Sequence, residues 1–403
     1  MSGHPPGTVL CLASYVKGAD FLREMKAQGW RVLLLTIERH RDAAWPREAI
    51  DEIHFGPERG GAFLRDETLD GVSWLARREK LDRIVPLDDL DLEIAATLRE
   101  HLRLPGMGES TTRRFRDKLA MRQAAHTAGI LVPDFTPVFH DATLADWMAR
   151  VPAPWVLKPR SWAGSIGVRK VHSADEVWHL LGEAGDQRAS YLLERFVPGD
   201  VFHVDSIVFG GRIRFARASG YLNPPLDVVQ GGGIFMTRLL PPGLQREELL
   251  ALNEQLLDTM GLVLGASHTE FIRAHEDGRL YFLETSGRVG GAHISDLIEQ
   301  ATGVNLWREW AKTEIAGERG AYTEPHAPAN AAGLLVSLAR QEWPDTSAFD
   351  DPETIWHLRK KWHVGFVVRS DSFERVDALL HGYAERVRAD FHATMPPQSR
   401  PTE

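Results

Sequence analysis

Apolar and polar residues alternate in blocks over residues 8 to about 105. Apolar, β-branched runs predict strands, and segments with apolar residues at helical spacing between them predict helices. The strand runs are Thr8–Val16, Arg31–Ile37, Glu52–Phe55 and Arg83–Leu87, and the helical segments are Gly18–Gln28, Ala62–Arg78 and Asp91–Leu102. This alternation predicts an open, parallel, Rossmann-like sheet. The first strand-to-helix turn lacks the G-x-G-x-x-G pattern, so we expect no dinucleotide site there.

Beyond Pro105-Gly106 the pattern changes to runs that alternate with period two, which predict antiparallel strands. Helix patterns cover residues 110–130 and Leu244–Met260. The predicted strands lie at Trp155–Pro159, Val168–Val171, Tyr191–Val197, Val201–Phe209, Arg212–Ser219, Ala332–Leu338 and Val364–Ser370, and an amphipathic helix follows at Ser372–Phe391. Residues Asn223–Pro242 are rich in glycine and proline and predict a long loop of the kind that often closes over a site.

Two acidic residues occupy corresponding positions of a predicted β-hairpin. Apolar runs containing Glu270 and Glu284 flank an Asp-Gly turn at 277–278, so antiparallel pairing would bring the two carboxylates together. Arg288 follows shortly after. Paired carboxylates beside an arginine suit Mg²⁺ and a transferring phosphoryl group. A buried ion pair with Arg288 or Arg273 is the alternative, because an unpaired buried charge is costly.

Two lysines are candidate phosphate contacts. Lys158 ends an apolar strand just before a small-residue loop that contains Gly164, Ser165 and Gly167. The backbone N–H groups of such a loop can cradle phosphates, and a nearby lysine adds a point charge. Lys118 lies on a polar helix face upstream. A surface turn and a solvated helix face are the alternatives for these features.

A hinge follows the strand that ends at Glu194–Val197. Such a hinge can present backbone groups and a carboxylate to an adenine amino group, and Asp200 stands where it can meet ribose hydroxyls. The alternative is an edge strand with solvated ends. His203 and Asp205 then alternate on one face of the next strand, which places them side by side.

The composition narrows the class of protein. The 403 residues carry a formal charge of −9, which argues against a nucleic-acid-binding face. The single cysteine excludes an internal disulfide framework and indicates a reducing, cytoplasmic location. No apolar run reaches the roughly 18 residues that a membrane span needs, and we expect neither a signal peptide nor a membrane partner. The polar, proline-rich tail 395–403 is predicted to be disordered.

Taken in this order, the motifs resemble the ATP-grasp superfamily. The matching elements are Lys118, Lys158 with Gly164-Ser165-x-Gly167, Glu194-x-Phe196-Val197, Glu270, and Glu284-x-Ser286-x-Arg288. Within that superfamily, 265–271 and Gly290-Gly291-x-His293-Ile294 resemble L-amino-acid ligases and related carboxylate–amine ligases. The resemblance implies an α/β and α+β multidomain chain: a Rossmann-like domain at 1–105, an ATP-grasp domain at 106–317 and a C-terminal lobe at 318–394.

The resemblance also implies roles for individual residues. ATP would be bound by Lys118, Lys158, Gly164, Ser165, Gly167, Glu194, Phe196, Val197, Asp200 and His203. Two Mg²⁺ or Mn²⁺ ions would be bound by Glu270, Glu284 and Ser286, the last standing where the superfamily usually has asparagine. Arg288 and Lys158 would be the catalytic residues. Substrate contacts would come from Asp88, Asp89, His268, Gly290 and Gly291, although a helix cap is an equal alternative for the two aspartates.

The hypothesis from sequence is therefore an ATP-dependent, ADP-forming ligase that joins a small-molecule carboxylate to an amine through an acyl phosphate. We expect an amino acid as one substrate, no nucleic-acid partner, and a possible homodimer. Two alternatives stay open at this point. One is another ATP-grasp chemistry, such as a bicarbonate-dependent carboxylase or a purine-type ligase, and the other is a nucleotide-binding regulator without turnover.

Overall fold

A parallel sheet forms the N-terminal part of the chain, as the strand–helix alternation predicts. The computed structural model describes residues 6–162, 164, 166–317, 320–328 and 330–394. The first elements are β1 (Thr8–Ala13), α1 (Ala19–Ala27), β2 (Arg31–Ile37), β3 (Glu52–Gly56), β4 (Glu58–Arg59), β5 (Ala62–Phe63), α2 (Arg65–Leu75), β6 (Arg83–Pro86) and α3 (Leu92–Leu102). Four strands pair in parallel in the order β3-β2-β1-β6, while β4 and β5 form a small ribbon. All six residues of β1 are buried, as expected for a parallel strand covered on both faces.

An antiparallel sheet of four strands follows. Its segment contains α4 (Glu109–Arg113), α5 (Lys118–Thr127), β7 (Phe135–Pro137), α6 (Asp141–Arg150), β8 (Trp155–Pro159), β9 (Arg169–Val171), α7 (Ala174–Ala184) and β10 (Tyr191–Arg195). The strand order is β7-β10-β8-β9. The single helix predicted over 110–130 is wrong, because the chain breaks between α4 and α5. Asp117 caps α5 by accepting a hydrogen bond from the Leu119 N–H, so a new helix begins at Lys118.

The third sheet is the largest and is antiparallel throughout. The remaining elements are β11 (Gly199–Phe209), β12 (Arg212–Tyr221), α8 (Pro225–Gly231), β13 (Phe235–Leu239), α9 (Leu244–Met260), β14 (Leu264–Ala274), β15 (Leu280–Ser286), α10 (Ile294–Thr302), α11 (Leu306–Ala316), β16 (Ala331–Leu338), β17 (Thr354–His357), β18 (His363–Ser370) and α12 (Phe373–Asp390). Eight strands run in the order β15-β14-β11-β12-β13-β16-β18-β17. Strands from both sides of residue 318 share this sheet, and the predicted division into domains stays a prediction.

The long loop predicted over Asn223–Pro242 is wrong, since this segment contains α8 and β13. Proline pairs at both ends of the segment and three consecutive glycines in its middle suggested a loop. Phe235–Leu239 nevertheless pairs with β12 on one side and β16 on the other. Sheet pairing over long distances therefore overrides the local breaker signal. The tail 395–403, predicted to be disordered, lies outside the described residues.

A shared core fixes the N-terminal sheet against the large sheet. Residues of β1, β2 and α1 join residues of β14 and α11 in one buried cluster. Phe21 of α1 meets Trp310 of α11 edge to face, with ring centroids 5.3 Å apart. This packing places the end of β6 beside the end of β15. Among the described residues, no helix has the length and apolar character needed to cross a membrane.

Candidate active site

Two cavities meet where β14 and β15 lie side by side. The first, about 350 Å³, opens between the four-stranded antiparallel sheet and the large sheet, and Lys158, Glu194, Phe196 and Val197 contribute to its lining. The second, about 290 Å³, lies toward the N-terminal sheet. Residues that line both are Lys118, Trp162, Pro225, Glu270 and Glu284. Several of the predicted nucleotide residues border the first cavity and several of the predicted substrate residues border the second, with the acidic pair between the two spaces.

The acidic pair is brought together by strand register. Glu270 of β14 is directly opposite Glu284 of β15, and the register shifts just after Glu270. The proximity predicted from the hairpin pattern is confirmed. Glu284 accepts a hydrogen bond from the Lys118 ammonium at 2.8 Å, and Glu270 Oε1 accepts one from the Tyr221 hydroxyl at 2.7 Å. Burial alone would raise the pKa of Glu284, but the Lys118 charge and hydrogen bond hold it below its usual value, so this carboxylate is anionic at neutral pH.

Neither arginine considered in the alternative ion pair contacts these glutamates. Arg273 pairs with Glu248 at 2.6 Å on the outer part of the same strand. Arg288 lines the second cavity, and its guanidinium donates to the carbonyl oxygen of the neighbouring Val289 at 2.8 Å. The Nε atom of Arg288 is buried without a hydrogen-bond partner among the described residues. A half-buried guanidinium whose Nε has no partner keeps donor capacity for an anionic ligand.

A buried charge cluster forms the floor of the first cavity. The Glu194 carboxylate binds the Lys158 ammonium and, at 3.0 Å, the Arg122 guanidinium. Burial lowers the pKa of Lys158 to about 8, although Glu194 opposes the shift. Burial would raise the pKa of Glu194, but Arg122 and Lys158 together lower it. The Glu194 side chain is therefore occupied by two cations rather than directed into open space.

Arg122 is a site residue that the sequence reasoning missed. Its side chain is fully buried, and besides Glu194 it binds the Leu283 carbonyl oxygen, directly before Glu284 in β15. Arg122 therefore joins the floor of the first cavity to the strand that carries the acidic pair. One signal was present in the sequence, because Lys118 and Arg122 are four residues apart and share a helix face.

The small-residue loop bends toward both cavities. Gly164 lines the second cavity, and both Gly164 and Gly167 adopt positive φ angles of 68° and 71°. The Lys118 ammonium donates to the Trp162 carbonyl oxygen at 2.7 Å, which holds the start of this loop against α5. Ser165, predicted to add a hydroxyl, lies outside the described residues.

Of the two aspartates after β6, only Asp89 reaches the site. Asp89 lines the second cavity, where it pairs with Arg116 and accepts a hydrogen bond from the Ser286 hydroxyl. Burial opposes ionisation of Asp89, but the charges of Arg116 and Arg288 bring its pKa to about 2. Asp88 instead pairs with Lys17 and caps a 3₁₀ turn by accepting from the Leu90 N–H. The substrate contact predicted for Asp88 is therefore not supported, and the cap alternative is confirmed.

His203 is placed behind the cavity wall. It is fully buried, with Nδ1 2.6 Å from Asp205 Oδ2 and Nε2 2.8 Å from the Thr237 hydroxyl. Asp205 Oδ1 lies 2.9 Å from His268 Nδ1, and only His268 of these groups lines the second cavity. The direct ATP contact predicted for His203 is not supported by this burial, since His203 reaches the site through its neighbours Asp205, His268 and Tyr221.

His268 is held as a cation beside Glu270. Burial would lower its pKa, but the charge and hydrogen bond of Asp205, with Glu270 adding to them, raise the pKa to about 9. Gly290 packs directly against this group, and an added Cβ would lie 2.6 Å from Asp205 Oδ1 and 3.0 Å from His268 Nδ1. The first glycine of the Gly-Gly pair is thus required by close approach, while Gly291 lines the cavity.

Asp200 is 68% exposed and 3.2 Å from His275 on the outer surface.

The donor atoms between the cavities fit a magnesium ion. Glu270 and Glu284 supply carboxylate oxygens from adjacent strands, and Ser286 supplies a hydroxyl two residues farther along β15. Hard, all-oxygen donor sets of this kind are what Mg²⁺ prefers. The Ser286 hydroxyl donates its hydrogen bond to Asp89, so the oxygen lone pairs remain available to bind a metal ion. A half-buried pair of carboxylates at the mouth of a cationic cavity is also the electrostatic setting in which a metal–phosphate complex is bound.

The comparisons with known proteins agree with this geometry. No model of a protein family matches the sequence. The L-arginine-specific L-amino acid ligase of Bacillus subtilis is 26% identical over 256 residues, which covers 62% of this chain and 60% of that enzyme. Human carnosine synthase 1 is 27% identical over 312 residues, covering 71% of this chain and 37% of that protein. The chain therefore spans about 60% or less of the length of these curated relatives.

Solved structures resemble the chain along nearly its whole length. The L-amino acid ligase from Bacillus licheniformis superposes with a TM-score of 0.75 at 17% identity, covering 98% of this chain and 100% of that one. The N5-carboxyaminoimidazole synthetase from Staphylococcus aureus, complexed with ADP, gives 0.72 at 13% identity, covering 95% and 98%. The chain therefore has the ATP-grasp fold, and among the proteins with that fold it is similar to L-amino acid ligases in sequence as well as in structure.

Proposed function

We propose that this protein is an ATP-dependent, ADP-forming ligase that joins a small-molecule carboxylate to an amine. The single observation that carries the proposal is the junction of the two cavities at Glu270 and Glu284. The first cavity has an apolar lining above a buried lysine, and the second contains an available arginine. Such an arrangement can hold ATP on one side and a second reactant on the other, with the transferring phosphoryl group between them.

The proposed reaction has two steps. In the first, a carboxylate oxygen of the acid attacks the γ-phosphorus of ATP, the bond from that phosphorus to the β,γ-bridging oxygen breaks, and ADP leaves. In the second, the amine attacks the acyl carbon, the bond from that carbon to the phosphate oxygen breaks, and inorganic phosphate leaves. The amine gives up a proton, and an amide remains.

The chain's own groups serve these steps by placing charge. We assign the ATP phosphates to Lys118 and Lys158, which border the first cavity, and the loop at Gly164 and Gly167 would cover them. Arg288 faces the second cavity and would bind the acyl phosphate oxygens as negative charge builds there. Because Lys118 also contacts Glu284 and the Trp162 carbonyl, it links the loop to the acidic pair.

Adenine would lie in the deeper part of the first cavity, against the hinge. Phe196 and Val197 line it there, and the Lys170 ammonium sits 3.8 Å from the centre of the Phe196 ring. Since Glu194 is engaged by two cations, we assign the adenine contacts to the backbone and apolar groups of the hinge. Asp200, exposed at the outer end of this region, would meet the ribose.

Glu270, Glu284 and Ser286 would hold two Mg²⁺ or Mn²⁺ ions. Bound there, the ions would neutralise the β- and γ-phosphate oxygens and so make the γ-phosphorus more electrophilic. Tyr221 donates to Glu270 and Asp89 accepts from Ser286, so neighbouring groups fix the orientation of two of these ligands.

We further propose a cytoplasmic location and a homodimer. The one cysteine, Cys11, is fully buried in β1, where burial raises its pKa, as expected for a thiol kept reduced and inert. Twofold dimers are the commonest assembly of enzymes of this size.

A phosphate-release screen over pairs of acids and amines tests the proposal, with the product identified by mass and the nucleotide product identified as ADP. We expect at least one pair to give an amide and ADP in equal amounts, with removal of metal by a chelator stopping the reaction. Glu284→Gln should lower this turnover by about 100-fold or more. Its matched control is Glu248→Gln, which removes an exposed carboxylate paired to Arg273 on β14.

A release of AMP, or full turnover by Glu284→Gln, would contradict the proposal. Tight ATP binding without turnover over the whole screen would favour a regulator instead. Dependence of phosphate release on bicarbonate would favour a carboxylase.

A further inference from the structure

The second cavity has one apolar wall and one charged wall. The apolar wall is built by the Tyr221 ring, Pro225, Val228, Phe235 and Ile294, which come from β12, α8, β13 and the start of α10. Tyr221 and Phe235 meet edge to face with ring centroids 5.6 Å apart. This wall is apolar, in contrast to the acidic pair. Two of its elements, α8 and β13, lie in the segment for which the glycine- and proline-rich sequence predicted a loop.

The carboxylates bordering this cavity are already bound to partners. Asp89 is paired with Arg116, and Glu284 with Lys118. Glu270 accepts from Tyr221 and lies 3.6 Å from His268 Nε2. Within the part of the chain that the structure describes, this lining therefore offers no spare carboxylate for a positively charged substrate side chain. Placing such a side chain against the apolar wall would strip it of water without an ionic partner, which is costly.

Unlike the carboxylates, one cationic group of this cavity has a hydrogen-bond donor without a partner among the described residues. Arg288 faces the cavity with a buried Nε that has no hydrogen-bond partner among the described residues. A substrate carboxylate placed at Arg288 is next to the acidic pair, and the rest of the molecule is then directed to the apolar wall. The volume of about 290 Å³ is at the small end of the roughly 300–1,000 Å³ typical of ligand pockets, which suits one amino-acid-sized molecule.

Resting on the function proposed above, we infer that the activated substrate is a carboxylic acid with an apolar, uncharged side chain. Phe235 is the residue that decides this specificity. Its ring is half-buried against Tyr221, whose hydroxyl holds Glu270, so one aromatic pair connects the side-chain wall to the acidic pair. An apolar side chain against this wall replaces water on both surfaces.

The test compares kcat/KM for four amino acids as the activated substrate: L-leucine, L-phenylalanine, L-arginine and L-glutamate. ADP release is followed with a common panel of amine acceptors, and the products are identified by mass to show which carboxylate was activated. We expect L-leucine or L-phenylalanine to exceed L-arginine and L-glutamate by about 100-fold or more. A fifth probe, 4-methylpentanoate, is leucine without its amino group. Preference for it over leucine assigns the site to simple apolar acids, and the reverse assigns it to apolar amino acids.

The variant Phe235→Ala should lower kcat/KM for the preferred apolar substrate by about 10- to 100-fold, chiefly through KM. Phe209→Ala is the matched control, because Phe209 is also half-buried and packs on a tyrosine, at 5.4 Å from Tyr322, outside both cavities. We expect this control to keep wild-type kcat/KM. The thermal unfolding temperature of both variants is measured with and without ATP. This measurement identifies any loss of kcat/KM that comes from misfolding. A second variant, Phe235→Leu, keeps an apolar wall and should retain the preference for apolar over charged substrates.

A kcat/KM for L-arginine or L-glutamate equal to or above that for the apolar substrates overturns the inference. Equal losses in Phe235→Ala and Phe209→Ala overturn the role of Phe235. Either result leaves the ligase proposal standing, since ADP and an amide are still formed. Failure of the ligase proposal looks different, because no acid in the wider phosphate-release screen then gives ADP.

Discussion

Replacing Asp205 with asparagine tests the buried connection between β11 and the second cavity. Asp205 is fully buried, and its two oxygens contact His203 at 2.6 Å and His268 at 2.9 Å. A carboxylate can accept from both imidazoles, whereas an amide offers a single accepting oxygen. Asp205→Asn therefore removes the negative charge and leaves one of the two histidines without an acceptor.

The magnitude follows from the pKa of His268. The Asp205 charge is the main cause that raises this pKa to about 9 against the lowering effect of burial. We expect the pKa to fall by about 2 units in Asp205→Asn, because a single close opposite charge shifts a pKa by about 1 to 3 units. Because the pKa in the folded protein is above the ordinary histidine value of 6.5, the charged form stabilises the fold fully below pH 6.5. That contribution, about 3 kcal/mol, is lost as the pH rises through 9.

The assay is a titration of ¹⁵N-histidine-labelled, chelator-treated protein by long-range ¹H–¹⁵N correlation, with the His268 signals assigned from His268→Gln. Asp200→Asn is the matched control, because it removes an exposed Asp–His contact on the same strand, to His275 at 3.2 Å. The control should leave the pKa of His268 at its wild-type value. A wild-type pKa of His268 near 6.5, or one that Asp205→Asn does not change, would show that Asp205 does not hold His268 as a cation.

Three further substitutions, one of them with a matched control, have clear expected results. Gly290→Ala places a Cβ 2.6 Å from Asp205 Oδ1, so we expect a loss of about 1–3 kcal/mol in the free energy of unfolding and reduced turnover. Gly291→Ala is the control, because its Cβ meets nothing within 4 Å, and its free energy of unfolding in urea should equal that of the wild type. Equal losses in the two variants would contradict the close approach at Gly290. Arg122→Met leaves a buried carboxylate with one cation fewer and should cost about 3–5 kcal/mol in the same assay, whereas a loss below about 1 kcal/mol would argue against the buried pair. Ser286→Ala should weaken Mn²⁺ binding in the presence of ATP by about 10-fold in an electron paramagnetic resonance titration, and unchanged binding would remove Ser286 from the ligand set.

The local sequence pattern was sufficient to predict those elements whose pairing partners are near in the sequence. Thr8–Ala13 and Arg31–Ile37 were predictable as parallel strands because they are two apolar runs separated by a segment with apolar residues at helical spacing. The opposition of Glu270 and Glu284 was predictable because one Asp-Gly turn sets the register of that hairpin. The chemistry of the acidic pair could therefore be inferred before its surroundings were known.

Contacts between distant segments could not be predicted from local pattern. Ser286 and Asp89 are 197 positions apart, and their hydrogen bond depends on how the N-terminal sheet packs on the large sheet. Tyr221, which binds Glu270, ends a strand that was predicted to stop two residues earlier. Glu194 was expected at the adenine because it ends a strand. Its buried cation Arg122 is 72 positions away and could be identified only from the fold.

In the reaction that we propose, a substrate carboxylate takes the γ-phosphoryl group of ATP between the two cavities. Isotope transfer tests this step, with the preferred acid labelled by ¹⁸O in both carboxylate oxygens and incubated with ATP, Mg²⁺ and an amine acceptor. We expect one ¹⁸O in the inorganic phosphate and one in the amide product, as read by mass spectrometry, because the acyl phosphate oxygen leaves with phosphorus. Unlabelled inorganic phosphate, or a label in AMP, would contradict it.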